Sequence, residues 1–165
     1  MTEQRGPARI LFVCLGNICR SPLAEGVMRA AAAEVGVLVE IDSAGTGNWH
    51  VGKAPDPRAI ATAARHGIDI AGLRARQVRP DDFTHYHRLI ALDASVLRDL
   101  RLIAPAEGTG RLELLLDHAP GRRGDDVADP YFGDDVGFET ALADIRLGID
   151  GLLRTLAKAS HQPSG

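Results

Sequence analysis

The stretch that decides the reading is Ile10-Leu-Phe-Val-Cys-Leu-Gly-Asn-Ile-Cys-Arg-Ser-Pro22. Ile10 to Val13 is an unbroken apolar run, which suits a strand buried on both faces of a parallel sheet. Beyond Ser21 and Pro22, apolar residues recur at Leu23, Val27, Met28 and Ala31, the spacing of a helix. The segment from Cys14 to Pro22 is therefore a strand-to-helix loop with a cysteine at its start and an arginine near its end.

Each residue type in that loop has a physical reason. Five residues separate Cys14 from Arg20, enough for one tight turn around a tetrahedral anion. Gly16 and Asn17 tolerate the unusual backbone conformations that such a turn needs. Successive backbone N–H groups can then point inward as an anion nest. The following helix aims its positive N-terminal end at the same point. Arg20 adds a planar fork that pairs with two oxygens of one anion. A cysteine in that field is expected as its thiolate. A structural cysteine ending a strand is the plain alternative. It leaves the Gly-Asn pair inside the loop and the Arg-Ser-Pro exit unexplained.

Val13-Cys-Leu-Gly-Asn-Ile-Cys-Arg-Ser-Pro22 resembles the phosphate-binding loop of the low-molecular-weight protein tyrosine phosphatases. Further matches to that family fall at Asp42-Ser-Ala-Gly-Thr46, Ala75-Arg-Gln77 and Asp129-Pro-Tyr-Phe132, so the resemblance spans most of residues 8–158. The stretch Ser43-Ala-Gly-Thr-Gly-Asn-Trp-His-Val-Gly52 is similar to bacterial members in particular.

The chain has 165 residues, a length that suits one domain with a sizeable core. Hydrophobic content is 45% and charged content 25%, ordinary values for a globular chain. A net charge of −3 implies no general affinity for nucleic acid. No apolar run approaches the roughly eighteen residues of a membrane span. The two cysteines sit five apart in one loop and cannot be a disulfide framework, which points to a reducing, cytoplasmic compartment.

Residues 1–7 read as a disordered leader without the apolar core of a signal peptide, 8–158 as the domain, and 159–165 as a flexible tail. Strands are expected over 8–13, 37–42, 88–92 and 111–116. Helices are expected over 22–35, 57–67, 94–104 and 136–158. Asp56 should cap the second helix, with Pro57 in its first turn and Gly67 at its end. Two long loops, 43–57 and 117–135, are candidates for function because loops of that length in compact domains tend to be functional. Residues 71–83 read as irregular and arginine-rich. Strands alternating with helices make an α/β fold with a parallel sheet. The resemblance implies the flavodoxin-like phosphatase fold, a single domain with four parallel strands in the order 2-1-3-4 flanked by helices. In such sheets ligands bind beyond the carboxyl ends of the strands at the switch point, where the cysteine loop sits.

The departing oxygen of a phosphoryl ester needs a proton, and Asp129 is the candidate donor. It precedes a rigid Pro130 and the aromatics Tyr131 and Phe132. The nearby carboxylates of Asp125, Asp126, Asp134 and Asp135 should favour its protonated form. Asp-Pro as a simple turn is the alternative; the likeness of Asp129-Pro-Tyr-Phe132 to the family's general-acid loop favours function. Ser21 can donate to the Cys14 sulfur, and could also cap the first helix. The resemblance pairs Asn17 with Ser43 as a brace across the loop. Many relatives carry a supporting histidine where this chain has Leu73, which removes that hydrogen bond.

The chain has one Trp, two Tyr and four Phe. Trp49, Tyr131 and Phe132 fall in the two long loops and suit the walls of a slot for an aromatic ring. A loop anchor is the alternative for Trp49. Leu15 is expected to touch substrate, and Ile18 to complete the loop. His50 is expected to face solvent, and Asp93 to cap the following helix. His85 and His87 share a strand spacing but lack a third ligand, so no metal site is expected. Cys19 is either a small filler or a thiol that traps oxidised Cys14 as a disulfide, and the resemblance favours the second.

The resemblance implies hydrolysis of protein phosphotyrosine and small aryl phosphates through a cysteinyl-phosphate, with no metal or organic cofactor. It implies a phosphotyrosine protein as partner, with a bacterial tyrosine kinase or a host protein as candidates, and a monomer or weak dimer. Arsenate reduction on the same fold relays a disulfide through further cysteines, and none follows Cys19. A cysteine phosphocarrier needs neither the acid nor the aromatic slot. A non-catalytic binding module needs no nucleophile.

Overall fold

A computed structural model describes residues 6–161, with no side-chain description for 159–161. The expected leader and tail therefore lie largely outside the described residues.

The first strand, β1 (Ala8–Cys14), is the central element. Its residues alternate between two cores. Ile10, Phe12 and Cys14 face one side of the sheet, and Leu11 and Val13 the other. Ile10 through Val13 are fully buried, as an apolar run flanked on both faces must be. The sheet has four parallel strands in the order β2-β1-β3-β4, with β2 at Val39–Gly45, β3 at Arg88–Ala91 and β4 at Arg111–Leu114.

Five α-helices complete the described chain: α1 (Arg20–Val35), α2 (Pro57–Arg65), α3 (Asp82–His85), α4 (Ala94–Ile103) and α5 (Asp135–His161). Helices α1 and α5 cover one face of the sheet through Leu23, Val27, Met28, Phe138, Leu142, Ile145 and Ile149. On the other face, α4 packs Val96, Leu97 and Leu100 against Leu11, Val13 and Leu89. Among the described residues no helix is long and apolar enough to cross a membrane.

The structure moves several boundaries. β2 starts two residues later than expected and runs on to Gly45, because its pairing with β1 continues from Ala8↔Val39 to Cys14↔Gly45. Its alternation sets Ile41 and Ser43 on the α1 side, with Ala44 on the other. β4 ends at Leu114, where pairing with β3 ends, and a 3-10 turn follows over Leu115–His118. α5 rests against that turn so closely that a Cβ on Gly151 would lie 1.8 Å from the His118 carbonyl oxygen. α3 overlaps the end of the stretch expected to be irregular and runs on to His85. α2 is capped by the Asp56 side chain as expected, which accepts from the Arg58 N–H, but ends at Arg65 with His66 as its cap.

Candidate active site

The loop between β1 and α1 closes on the Cys14 sulfur. Helix α1 begins at Arg20, two residues earlier than the spacing suggests, so Arg20 and Ser21 both lie in its first turn. Pro22 is tolerated there because its missing N–H would have no helical partner. The loop turns outward-facing carbonyls to the rest of the fold. Thr46 N–H donates to the Cys14 carbonyl, Gly47 to Leu15, Asp56 to Ile18 and Leu23 to Cys19. The N–H groups of Gly16, Ile18 and Cys19 have no acceptor among the described residues. Those unpaired donors, beside the N-terminus of α1, are the makings of an anion site.

Asn17, at φ 58°, is the left-handed residue of the loop, and Gly16 is not. Gly16 answers to space instead: a Cβ there would lie 3.0 Å from Cδ2 of His50. The Asn17 backbone N–H donates to the Cys14 Sγ at 3.3 Å. Its side-chain amide donates to Ser21 Oγ at 2.8 Å and Ser43 Oγ at 3.1 Å, and its carbonyl oxygen accepts from the Arg76 N–H at 2.9 Å. The Ser43 hydroxyl in turn donates to Glu25 Oε1 at 2.7 Å, and Arg29 from the next turn of α1 holds Oε2 at 2.6 Å. Ser21 Oγ lies 2.9 Å from the Cys14 Sγ. Since that oxygen already accepts from Asn17, its own hydrogen is left for the sulfur. Ser21 does not cap α1, which has no side-chain cap.

The chain thus braces the loop without a histidine at Leu73, which packs against the α1–α5 core instead. The Arg76 backbone and the buried Glu25 supply the support. Glu25 escaped the sequence reading. A carboxylate on the inward face of an otherwise apolar helix is the signal that could have found it.

Arg20 is 3% exposed. Its Nη1 donates to Asp93 Oδ2 at 2.6 Å and to the Val127 carbonyl at 2.8 Å. Its Nη2 is 3.6 Å from Asp129 Oδ2. Burial alone would lower the guanidinium's pKa, but Cys14, Asp93 and Asp129 outweigh it and hold the group above its ordinary value. Asp93 caps α4 through Oδ1 as expected and anchors Arg20 through Oδ2, a second role the sequence did not reveal. Both roles follow from pairing of β1 with β3, which brings the carboxyl ends of the two strands together.

Asp129 is exposed, and its Oδ1 accepts from the Tyr131 N–H at 3.1 Å. Of the four carboxylates near Asp129 in sequence, three have partners of their own. Asp125 pairs with Arg122, Asp126 accepts from the Ala94 N–H, and Asp134 accepts from the Gly137 N–H. The charge that faces Asp129 is the Arg20 cation. The 129–133 loop is held by Arg58, which donates to the Tyr131 and Gly133 carbonyls while paired with Asp56.

These residues surround a cleft of about 240 Å³. Cys14, Cys19 and Arg20 reach it, Leu15, Gly16 and Ile18 edge it, and Trp49, His50, Asp129, Tyr131 and Phe132 wall it. Trp49 is 64% exposed and Phe132 94%, so an apolar rim stands open to solvent. The indole packs directly against Gly47, where a Cβ would come within 1.8 Å of the ring. His50, half-buried, stands in the wall of the cleft. Cys19 is buried beside the cleft, and burial, with the charges of Asp56, Cys14 and Asp129, pushes its thiol up to about 12. His85 and His87 are elsewhere: His85 pairs with Glu40, and His87 accepts from the Arg9 N–H.

Comparison with known proteins gives a match over residues 9–162 to the family described as low molecular weight phosphotyrosine protein phosphatase. A low molecular weight protein-tyrosine-phosphatase of Streptomyces coelicolor is 45% identical over 150 residues, covering 88% of this chain and 91% of that one. YfkJ of Bacillus subtilis, also a low molecular weight protein-tyrosine-phosphatase, is 39% identical over 90% of this chain and 96% of its own. The crystal structure of YfkJ superposes with a TM-score of 0.87 at 37% identity, covering 97% of this chain and 100% of that one.

Proposed function

This chain belongs to the low molecular weight phosphotyrosine protein phosphatase family, and from that premise we propose how its own residues carry the reaction. The reaction is hydrolysis of phosphotyrosine, a phosphoric monoester, and phosphoproteins are the substrates. In our reading Cys14 Sγ attacks phosphorus in line with the ester oxygen. The loop N–H groups, with Nε and Nη2 of Arg20, hold the equatorial oxygens, where charge builds in the transition state. Asp129 gives its proton to the departing phenolic oxygen. The product of this half is a cysteinyl-phosphate and a free tyrosine hydroxyl. Water then attacks the phosphorus, Asp129 takes its proton, and the S–P bond breaks to release phosphate. Ser21 donates to the sulfur and eases its departure.

The observation that carries this reading is the surroundings of one sulfur atom. Cys14 Sγ accepts from the Asn17 N–H at 3.3 Å and lies 2.9 Å from the Ser21 hydroxyl, in a loop with unpaired N–H groups and a buried arginine. Trp49, Tyr131 and Phe132 favour an aryl ester over an alkyl one, since they offer ring faces to a ring. For Cys19 the reading is a resolving thiol: it would attack a sulfenic acid on Cys14, forming a disulfide and releasing water.

The domain in this reading spans residues 8–158. The two cysteines are free and close in sequence, which supports a reducing, cytoplasmic setting. The substrate is a phosphotyrosine protein such as a bacterial tyrosine kinase or a host protein, and the working form is a monomer or weak dimer.

Turnover of para-nitrophenyl phosphate by the wild type and by Cys14→Ser, with EDTA present, tests the mechanism. The variant should lose on the order of 10⁴-fold or more in kcat while still binding inorganic phosphate. Turnover surviving in Cys14→Ser would remove the cysteinyl-phosphate.

A further inference from the structure

Across Trp49 from the catalytic cleft lies a second groove of about 220 Å³. Leu15, Trp49, Leu102 and Ile103 wall it, and Thr46 and Asp99 supply its polar edge. Leu15 and Trp49 line both spaces, so the groove continues the substrate slot. Leu102 is 83% exposed and Ile103 49%, the two together forming an apolar end to α4. Two polar groups here are unpartnered. Thr46 Oγ1 is buried without a hydrogen bond. Asp99 makes no hydrogen bond or ion pair among the described residues.

We propose that this groove is a specificity subsite for the substrate polypeptide and takes a lysine or arginine side chain flanking the phosphotyrosine. The proposal rests on the phosphotyrosine reading and adds the substrate class. A chain leaving the slot over Trp49 meets the groove next. The long aliphatic stem of a basic residue covers Leu102 and Ile103. Its charged head reaches the Asp99 carboxylate and lies by the Trp49 ring face. A purely apolar side chain would cover Asp99 without pairing it, and an acidic one would be repelled. The groove thus selects a side chain that is apolar along its length and cationic at its tip.

The test uses phosphotyrosine peptides of alanine background in which one arginine is moved through the three positions on either side of the phosphotyrosine. Glutamate and leucine versions are made of each. In one register the arginine peptide should exceed the glutamate peptide in kcat/KM by roughly tenfold at low salt, and the gap should narrow at about 0.5 M salt. Asp99→Asn should close the gap. Leu102→Ser should lower kcat/KM for the arginine peptide roughly threefold. Neither change should alter turnover of para-nitrophenyl phosphate. The subsite is overturned if no register prefers arginine, or if the preference survives Asp99→Asn. It is also overturned if Leu102→Ser changes the sedimenting mass and leaves selectivity alone, since the groove would then be a contact between copies. A wild type that leaves para-nitrophenyl phosphate intact would overturn the phosphatase reading itself, a separate result from loss of peptide preference.

Discussion

Asp129 and Cys19 each have a geometry that sharpens what a substitution should do. Asp129 faces Arg20 across 3.6 Å, while the buried Pro130 fixes the chain behind it. A phosphate in the loop would take the Nη2 edge that Asp129 now approaches, leaving the carboxyl above the ester oxygen. Asp129→Asn should then slow aryl phosphates with poor leaving groups by about 10²-fold or more and those with good ones far less. A plot of log kcat against leaving-group pKa should steepen, and equal losses across the series would remove Asp129 as the acid. Cys19 is constrained by its thiol, pushed up to about 12. Little of it is thiolate at neutral pH, and the thiolate is what attacks. Oxidation of Cys14 to the sulfenic acid removes one of the charges that hold Cys19 protonated. Trapping should therefore follow oxidation and speed up as pH rises. Peroxide-inactivated wild type should weigh two hydrogens less and recover with a dithiol, whereas Cys19→Ala should recover poorly. A sulfinic Cys14 beside an intact Cys19 thiol would leave Cys19 a packing residue.

The loop between β1 and α1 is held by its neighbouring elements more than by its own residues. β2 offers Ser43, α1 offers Glu25 and the segment after α2 offers the Arg76 N–H, all meeting at Asn17 or its partners. The loop after β2 is shaped the same way by Gly47. Its missing Cβ is what lets the Trp49 indole sit between the two grooves. Trp49→Ala should raise KM for phosphotyrosine roughly tenfold and leave inhibition by inorganic phosphate unchanged. Gly47→Ala should reproduce most of that change with the tryptophan still present, because the methyl group displaces the ring and not the backbone. If phosphate inhibition weakened as much as substrate binding in either variant, Trp49 would be an anchor of the loop and not a wall of the slot.

The larger core of the molecule reaches the site. The α1–α5 side contains Cys14 and Cys19 themselves, together with Phe138 from the first turns of α5. Phe138 is fully buried, and the Arg58 guanidinium stacks over its ring at 4.7 Å. Arg58 is also the group that holds the Tyr131 and Gly133 carbonyls beside Asp129. Phe138→Ala should cost about 3–5 kcal/mol, read as a lower urea midpoint with an unchanged m-value. In the surviving folded enzyme, activity toward poor leaving groups should fall further than activity toward good ones, because Arg58 loses its platform. Phe138→Leu should keep most of the stability. A stability loss with leaving-group selectivity intact would confine Phe138 to packing.

What was legible in the sequence was local in origin. The apolar run into Cys14, the Gly-Asn turn, Arg20 and the helical spacing after Pro22 sit within one short segment. Their conformational preferences follow from neighbours along the chain, and with them the strand, the loop and the helix after it. The alternation of strands and helices carried the parallel sheet, and the resemblance carried the 2-1-3-4 order that the structure has. The brace and the anchors were not legible, for one physical reason: each depends on which segments pair. Asp93 meets Arg20 because β3 lies beside β1. Ser43 meets Glu25 because β2 stays paired through Gly45, and alternation along it turns Ser43 toward α1. His50 became a wall because Gly16 left it room. Asp125, Asp126 and Asp134, near Asp129 in sequence, found partners on α4, α5 and within their own loop, which spacing along the chain could not show.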